Sequence, residues 1–199
     1  KFILKRVVDI VFTVLFIPII FPVVLLSILF ILATDGSSPL IKQTRVGLHG
    51  REFSMYKLRT MREDSHSDRE NLEEFNESGG PLFKMKNDPR LIKGAKFLRK
   101  YSIDELPQFI NILNGSMSLV GPRPLFPEDN KYFDEHYIRR LNVLPGLTGL
   151  LQINERNTSD FNIWYKYDIE YIDNWSIFLD IKIIFLTPLS LFRTKTKGK

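Results

Sequence analysis

The 199-residue chain contains no cysteine, so neither a disulfide bond nor a zinc site with thiolate ligands can form within it. Its three histidines, His49, His66 and His136, are scattered and lack the spacing of a metal-binding pair. The sequence also has no glycine-rich phosphate loop and no dinucleotide-binding fingerprint. Common zinc, ATP-binding and dinucleotide-binding motifs are therefore absent, and carboxylates and basic side chains remain as the candidate chemical groups.

Positive charge is in excess, with a formal net charge of +5 and a pI of about 9.3. Such a balance predicts an anionic partner, which can be nucleic acid, phospholipid headgroups or phosphorylated small molecules. Because the first 33 residues are almost entirely apolar, we expect membrane lipids and a phosphorylated substrate, and no nucleic acid. The chain begins at Lys1 without a methionine, which fits a trimmed or processed part of a longer protein.

The N-terminal segment from Val7 to Ala33 is apolar except for Asp9, Thr13 and Ser27. A straight helix of this length would be roughly 40 Å long, whereas the hydrocarbon core of a membrane is about 30 Å thick. The segment is too long for a secretory signal peptide, and no small-residue cleavage site follows it. We therefore expect it to enter a membrane.

Two prolines, Pro18 and Pro22, interrupt this segment and predict a bend, because each removes an amide donor and crowds the preceding turn. Both flanks are basic, with Lys1, Lys5 and Arg6 before the segment and Lys42 and Arg45 after it. Basic flanks favour the cytoplasmic side, so a re-entrant helix would satisfy both. The segment alone equally allows a proline-kinked helix that spans the membrane.

The rest of the chain predicts an α+β fold that is mostly helical. We expect two parts, a membrane segment over residues 1–35 and a separate unit over residues 36–199. The alternating residues of Pro39 to Tyr56 predict a pair of strands, and the charged stretch from Arg62 to Ser78 predicts a solvated helix or a loop. Helices are predicted over Leu91–Lys100, Ser102–Leu113, Asp129–Leu141 and Phe161–Ile172.

The last apolar segment, Ser176 to Phe192, carries Asp180 and Lys182 in its interior. It is short for a membrane span, and basic residues follow it. These features favour an amphipathic helix in the membrane interface, and a buried core helix is an equal alternative.

The segment from Arg99 to Gln108 carries the most informative pattern. Ser102 followed by Glu105 is typical of a capping box, and Asp104 would favour the dipole of the helix that starts there. The same position suits catalysis, since a carboxylate can attack phosphorus and its neighbour can hold Mg²⁺ near a helix start that also welcomes phosphate. The two interpretations are compatible.

Basic side chains that could bind phosphate recur in short motifs. Arg99 lies in the same segment as the acidic pair, Asp104 and Glu105. Arg123 lies between two prolines that restrict its backbone. The remaining candidates are Lys57, Arg59, Thr60 and Arg156.

Taken together, these segments resemble the monotopic polyprenol-phosphate phosphoglycosyl transferases, also called bacterial sugar transferases. The matching residues follow the family order and cover nearly the whole chain: Lys5, Arg6 and Asp9; Tyr56 to Met61; Asn87 to Arg90; Ser102 to Gln108; Met117 to Pro124; and Pro145 to Gly149.

The resemblance implies transfer of a phosphosugar from a nucleoside-diphosphate sugar, usually a UDP-sugar, to a polyprenyl phosphate such as undecaprenyl phosphate. It implies Asp104 as the nucleophile and Glu105 as the Mg²⁺ ligand. It also implies that residues 1–35 form a re-entrant helix-break-helix, broken at Pro18 and Pro22, and that residues 36–199 form a catalytic domain on the cytoplasmic face. Phosphate binding would fall to Arg99, Lys57, Arg59, Thr60, Arg123 and Arg156. It also implies a place in the bacterial inner membrane, and a homodimer is one expected assembly.

The chain departs from the family pattern in places. Phe21 precedes Pro22 where serine is typical, Leu150 stands where tryptophan is usual, and Glu155 replaces a common glycine. The charged insert from Arg62 to Lys86 resembles that of larger members, which carry further N-terminal domains. Two other functions remain open: a membrane-bound glycosyltransferase that moves the sugar alone, and a non-catalytic membrane-surface scaffold whose acidic pair only caps a helix.

Overall fold

The computed structural model describes residues 2–62, 85, 88–132, 134–156, 158 and 160–192. The described part is mostly helical and contains small pairs of strands, which confirms the coarse prediction of the fold class. The predicted element over Arg62–Ser78 lies, apart from Arg62, outside the described residues. The helices are α1 (Phe2–Asp35), α2 (Ala95–Lys100), α3 (Phe109–Asn114), α4 (Leu150–Glu155), α5 (Phe161–Asp173) and α6 (Ile177–Phe192). The strands are β1 (Leu40–Val46), β2 (Glu52–Leu58), β3 (Ser118–Val120) and β4 (Gly146–Thr148).

Helix α1 is long and apolar enough to cross a membrane. The helix continues through Pro18 and Pro22, and its re-entry at one membrane face stays a prediction. One stripe of α1 packs on the rest of the protein over nearly its full length, while most of its other apolar side chains are exposed. The stripe consists of the buried residues Lys5, Asp9, Thr13, Ser27 and Ile31 together with the half-buried Phe16, Ile20 and Val24.

The polar residues at the start of α1 bind partners far along the chain. Lys5 Nζ lies 2.7 Å from Asp180 Oδ2 of α6 and donates to Tyr171 Oη and to the carbonyl of Val120. Asp9 Oδ1 accepts from the Leu119 amide at 3.0 Å, on strand β3. Asp180 is thus an ion-pair partner of α1, and one face of α6 is buried against the core. The other face of α6 exposes apolar side chains, at Phe178, Phe185, Leu189 and Phe192.

Strands β1 and β2 form the predicted hairpin. They pair antiparallel, with Ile41 opposite Lys57 and Arg45 opposite Phe53. Alternate residues of a strand face opposite sides of the sheet, so this register places Arg45 on the same face as Lys57.

The segment Ile103–Gln108 is a 3₁₀ helix that leads directly into α3. The predicted capping box is wrong, because Ser102 adopts a left-handed backbone with φ of 52° and its side chain makes no capping hydrogen bond. Helix α2 is also shorter than predicted, since Gly94, with φ of +77°, sets its start at Ala95. A Cβ at Gly94 would lie 2.5 Å from Phe30, so the far end of α1 is also packed closely here.

Strands β3 and β4 form a parallel pair that the sequence does not predict. Next to them, Gly121 and Gly146 approach so closely that a Cβ on Gly146 would lie 2.0 Å from the Gly121 nitrogen. The predicted helix over Asp129–Leu141 is wrong, since this region holds two 3₁₀ segments, Pro127–Tyr132 and Tyr137–Asn142. Helices α5 and α6 match their predictions closely.

Candidate active site

A cavity of about 660 Å³ opens between the hairpin, the 3₁₀ helix Ile103–Gln108 and helices α1 and α6. The lining of the cavity has a polar part and an apolar part. The polar lining includes Gln43, Arg45, Lys57, Arg90, Arg99, Asp104, Glu105, Arg123, Asp129, Gln152 and Arg156. Helices α1 and α6 supply apolar lining through Phe16, Ile19, Ile20, Ile184, Pro188 and Leu191. One cavity therefore offers cations to an anion and an apolar surface to a hydrocarbon.

The acidic pair lies in the wall of this cavity. Asp104 and Glu105 are 3% and 8% exposed, so little water competes for their oxygens. Lys57 Nζ reaches both carboxylates, at 3.0 Å from Asp104 Oδ2 and 3.5 Å from Glu105 Oε1. The strand position of Lys57 thus places one ammonium group between two carboxylates that come from the neighbouring 3₁₀ helix.

Glu105 and Arg123 form a two-pronged ion pair. Arg123 Nη2 lies 2.5 Å from Glu105 Oε1, and Arg123 Nη1 lies 3.3 Å from Oε2. Burial alone would raise the pKa of Glu105, but the charges of Arg123 and Lys57 outweigh it and hold the pKa well below its usual range. Glu105 in turn raises the pKa of Arg123. Both groups are therefore ionised at neutral pH.

A second layer of contacts holds Arg123 in place. Arg140 donates from Nη2 to the Arg123 carbonyl and lies 3.0 Å from Asp168 Oδ2. Tyr137 donates to the same carboxylate at 2.8 Å. Pro122 and Pro124 further restrict the backbone on either side of Arg123. These partners come from elements distant in sequence, so the sequence alone does not reveal them.

Arg156 explains the unusual conformation before the acidic pair. Its Nη2 donates to Ser102 Oγ at 2.7 Å and to the Arg99 carbonyl at 3.1 Å. The hydroxyl of Ser102 therefore binds a guanidinium group rather than a helix end. Burial and the charge of Arg123 lower the pKa of Arg156, as expected where cations crowd together.

The predicted site residues fall into two groups. Lys57, Arg99, Arg123 and Arg156 line the cavity together with the acidic pair. Arg59 and Thr60 are not among its lining residues. Arg59 Nε donates to the Ser38 carbonyl at 2.7 Å, and Thr60 is buried with its carbonyl bound by the Ile92 amide. The phosphate-binding roles of these residues stay predictions.

Sequence reasoning missed Arg45, which it treats as a basic flank of the membrane segment. The side chain lines the cavity, and its guanidinium carbon lies 3.3 Å from the centroid of the Phe126 ring. Strand alternation could have placed Arg45 in the site, because Gln43, Arg45 and Lys57 share one face of the hairpin.

The acidic pair provides donors suited to Mg²⁺, which takes carboxylate oxygens and fills its remaining positions with water and substrate phosphates. Within the described ranges, no group of three or more His, Cys, Asp or Glu could hold a metal, so water and substrate oxygens would have to complete the shell. Glu105 fits as the protein ligand, although Arg123 and Lys57 face the same oxygens. A bound metal would share Glu105 with these cations.

The residue pattern and the cavity agree with the family match. The family model described as "Bacterial sugar transferase" matches residues 1–194, so the chain belongs to the bacterial sugar transferase family. The chain is 40% identical over 185 residues to the uncharacterized sugar transferase EpsL of Bacillus subtilis, which covers 93% of this chain and 85% of that protein. It is also 48% identical over 154 residues to the galactosyl transferase CpsE of Streptococcus agalactiae, covering 77% of this chain and 34% of that protein.

A third relative is named UDP-glucose:undecaprenyl-phosphate glucose-1-phosphate transferase, from Escherichia coli. The identity is 38% over 200 residues, which cover 96% of this chain and 41% of that protein. The chain thus spans well under half the length of two of these three relatives.

Proposed function

We propose that the protein transfers a phosphosugar from a UDP-sugar to undecaprenyl phosphate, the step that initiates a surface glycan. The observation that carries this proposal is the cavity, in which the acidic pair and several cations face an apolar wall from α1 and α6. A diphosphate donor requires the cations, and a polyprenyl chain requires the apolar wall. The relatives named for undecaprenyl-phosphate sugar transfer support the same chemistry.

Asp104 acts as the nucleophile of a two-step reaction. Its Oδ attacks the phosphorus that bears the sugar, the bond from that phosphorus to the bridging oxygen breaks, and the nucleoside monophosphate leaves with the bond electrons. A phosphate oxygen of the lipid then attacks the same phosphorus, the Asp104–phosphorus bond breaks, and the free carboxylate returns. Atoms and charges balance without an oxidant or a reductant.

The cations around Asp104 orient the nucleophile and bind the phosphate oxygens. Lys57, 3.0 Å from Asp104 Oδ2, orients the attacking carboxylate. Arg123 and Arg156 bind the phosphate oxygens on which negative charge accumulates, with Arg99 at the cavity wall. Mg²⁺ held by Glu105 would neutralise part of the diphosphate charge.

Helix α1 would enter one leaflet from the cytoplasmic face of the inner membrane and return to the same face. The support is the packed stripe, because both Lys5 near its start and Ile31 near its end contact the remainder of the protein. A 34-residue helix is about 50 Å long, and a straight span would carry one end away from a domain at the opposite surface. The exposed apolar faces of α1 and α6 would contact lipid.

The released nucleotide tests the function. The protein in a nanodisc with undecaprenyl phosphate is incubated with a panel of UDP-sugars, and we expect UMP and a lipid-linked phosphosugar from at least one of them. Release of UDP would instead identify a glycosyltransferase that moves the sugar alone. No release from any donor would favour the scaffold.

The topology is tested by labelling single cysteines, which is direct because the chain has none of its own. Cysteines at Lys1 and Lys42 should react with a membrane-impermeant reagent from the same side. A cysteine at Ile19, whose side chain is exposed on the apolar surface of α1, should be protected. Labelling of the two flanks from opposite sides would contradict the re-entrant helix.

A further inference from the structure

Arg45 lines the cavity and is not among the residues assigned to the proposed reaction. It lies near the end of β1 on the face shared with Gln43 and Lys57, and all three side chains line the cavity. Strand alternation directs Lys42 to the opposite, exposed face of the same strand. The hairpin thus delivers to the cavity a second cation besides Lys57.

The Arg45 side chain is held in one orientation by neutral neighbours. Its guanidinium carbon lies over the Phe126 ring, at 3.3 Å from the centroid, and its Nη2 donates to Gln43 Oε1 at 3.1 Å. Its Nε is buried and has no hydrogen-bond partner. Stacking and an amide acceptor orient a guanidinium without neutralising it.

Other arginines near the cavity differ in this respect. Arg90 pairs with Asp88 at 2.7 Å, Arg123 pairs with Glu105, and Arg140 pairs with Asp168. Arg45 forms no ion pair with any carboxylate in the described part of the chain. Burial, followed by the charge of Arg123, lowers the pKa of Arg45 to about 9. The guanidinium still keeps its proton at neutral pH, and although Asp129 and Glu105 act on its charge at longer range, neither carboxylate forms an ion pair with it.

We propose that Arg45, together with Arg123, binds the phosphate that leaves with the nucleoside of the donor. This assignment rests on the proposed function and adds a phosphate subsite to it. Two guanidinium groups that share a cavity and repel one another are each stabilised by an anion between them, and phosphate matches their paired donors.

The location of Arg45 favours the donor phosphate over the lipid phosphate. Strand β1 packs on β2 and on the segment Pro127–Tyr132, whereas α1 packs on Ile103–Gln108, α3 and β3. The apolar lining that would receive a polyprenyl chain comes from α1 and α6. A lipid phosphate would therefore reach Asp104 from the helical wall, and the departing nucleotide would lie toward the hairpin.

The test measures binding of two phosphate ligands to the intact chain in nanodiscs by calorimetry. The probes are inorganic pyrophosphate, which represents the donor diphosphate without its base, and a short-chain polyprenyl phosphate. We expect Arg45→Gln to weaken pyrophosphate binding about tenfold, the loss of one charge-assisted contact, and to change polyprenyl phosphate binding less than about twofold. Lys42→Gln, on the other face of the same strand, should change neither affinity.

Each other outcome overturns the assignment. Equal pyrophosphate affinity in Arg45→Gln and the parent chain, or no measurable pyrophosphate binding by the parent chain, would remove the subsite. A loss confined to the polyprenyl phosphate, or equal for both ligands, would refute the donor-side location.

A second variant keeps the proposal testable if the first one does not fold. If Arg45→Gln does not fold, Arg45→Lys keeps the charge but loses the flat stacked group, and a loss of a few fold in pyrophosphate affinity alone is expected. An unchanged affinity would overturn the subsite. None of these titrations depends on turnover, so they remain valid if no UDP-sugar releases UMP.

Discussion

Among the buried charges in the described part of the chain, two groups are organised differently. The first joins α1 to α6, where Lys5 meets Asp180 and Tyr171, and its cation and carboxylate neutralise each other. The second lines the cavity, where the cations outnumber the carboxylates of the acidic pair. The first group is closed by its own hydrogen bonds, whereas the second leaves the Nε of Arg45 without a hydrogen-bond partner. A balanced cluster serves the fold, and an unbalanced one beside a cavity indicates an anionic ligand.

The largest expected effect is a loss of turnover when the proposed nucleophile of the cavity cluster is replaced. Asp104→Asn keeps the shape of the side chain but removes the attacking carboxylate, so we expect turnover to fall by about 10⁴-fold or more. The phosphosugar adduct, trapped without lipid acceptor and detected by intact-mass spectrometry, should disappear. The thermal unfolding midpoint should remain within a few degrees of the parent value.

Asp173→Asn is the control, since it removes a carboxylate from an exposed surface pair with Arg139 and should leave turnover unchanged. Full turnover by a folded Asp104→Asn variant would contradict the assignment of the nucleophile.

The second effect concerns the balanced cluster. Asp180→Asn leaves Lys5 buried without its countercharge, so the free energy of unfolding should fall by about 3 kcal/mol. The kcat of the molecules that remain folded should change little, which distinguishes this cluster from the cavity. Denaturant titration in detergent, with activity normalised to the folded fraction, measures both quantities.

Replacing both partners, as in Lys5→Met with Asp180→Leu, should restore part of the lost stability because no buried charge remains. If the double variant is less stable than Asp180→Asn, the ion pair contributes more than charge balance.

The smallest effect is a pH dependence of stability from Glu105. Its pKa in the folded protein lies below the unfolded value, so between these two values the unfolded chain binds more protons. The stabilising contribution is therefore present above about pH 4.5 and is lost as the pH falls, at no more than about 1.4 kcal/mol per pH unit. Unfolding followed from about pH 6 to pH 3 should show a shallower decline for Glu105→Gln than for the parent.

Glu52→Gln changes an exposed carboxylate on β2 and should retain the steeper decline. Parallel profiles for Glu105→Gln and the parent would mean that the pairing with Arg123 does not persist in solution.

Local patterns predicted what depends on neighbours in sequence. Alternation predicted the hairpin, and the aromatic-rich and apolar composition of two segments predicted α5 and α6. The prediction of a capping box at Ser102 was wrong because Arg156, far along the chain, donates a hydrogen bond to the Ser102 hydroxyl. Local preference gave way to a tertiary contact that no window of sequence contains.

The candidate site was predictable in its acidic pair and in much of its cationic lining. The motifs containing Lys57, Asp104 and Arg123 lie in separate segments, and the resemblance to the family brought them into one site before the fold did. Arg45 was missed because a basic residue after an apolar helix also suits a lipid headgroup. Only the register of the hairpin shows that it faces the cavity.

The bond from Lys5 to Asp180 has a consequence for synthesis of the chain. The two residues are 175 positions apart, so a ribosome makes the apolar helix long before it makes the carboxylate that neutralises Lys5. At roughly 5–20 residues per second, this interval lasts on the order of 10 to 35 seconds. During that time Lys5 must remain hydrated at the membrane surface, and final docking of the helix must follow completion of the chain.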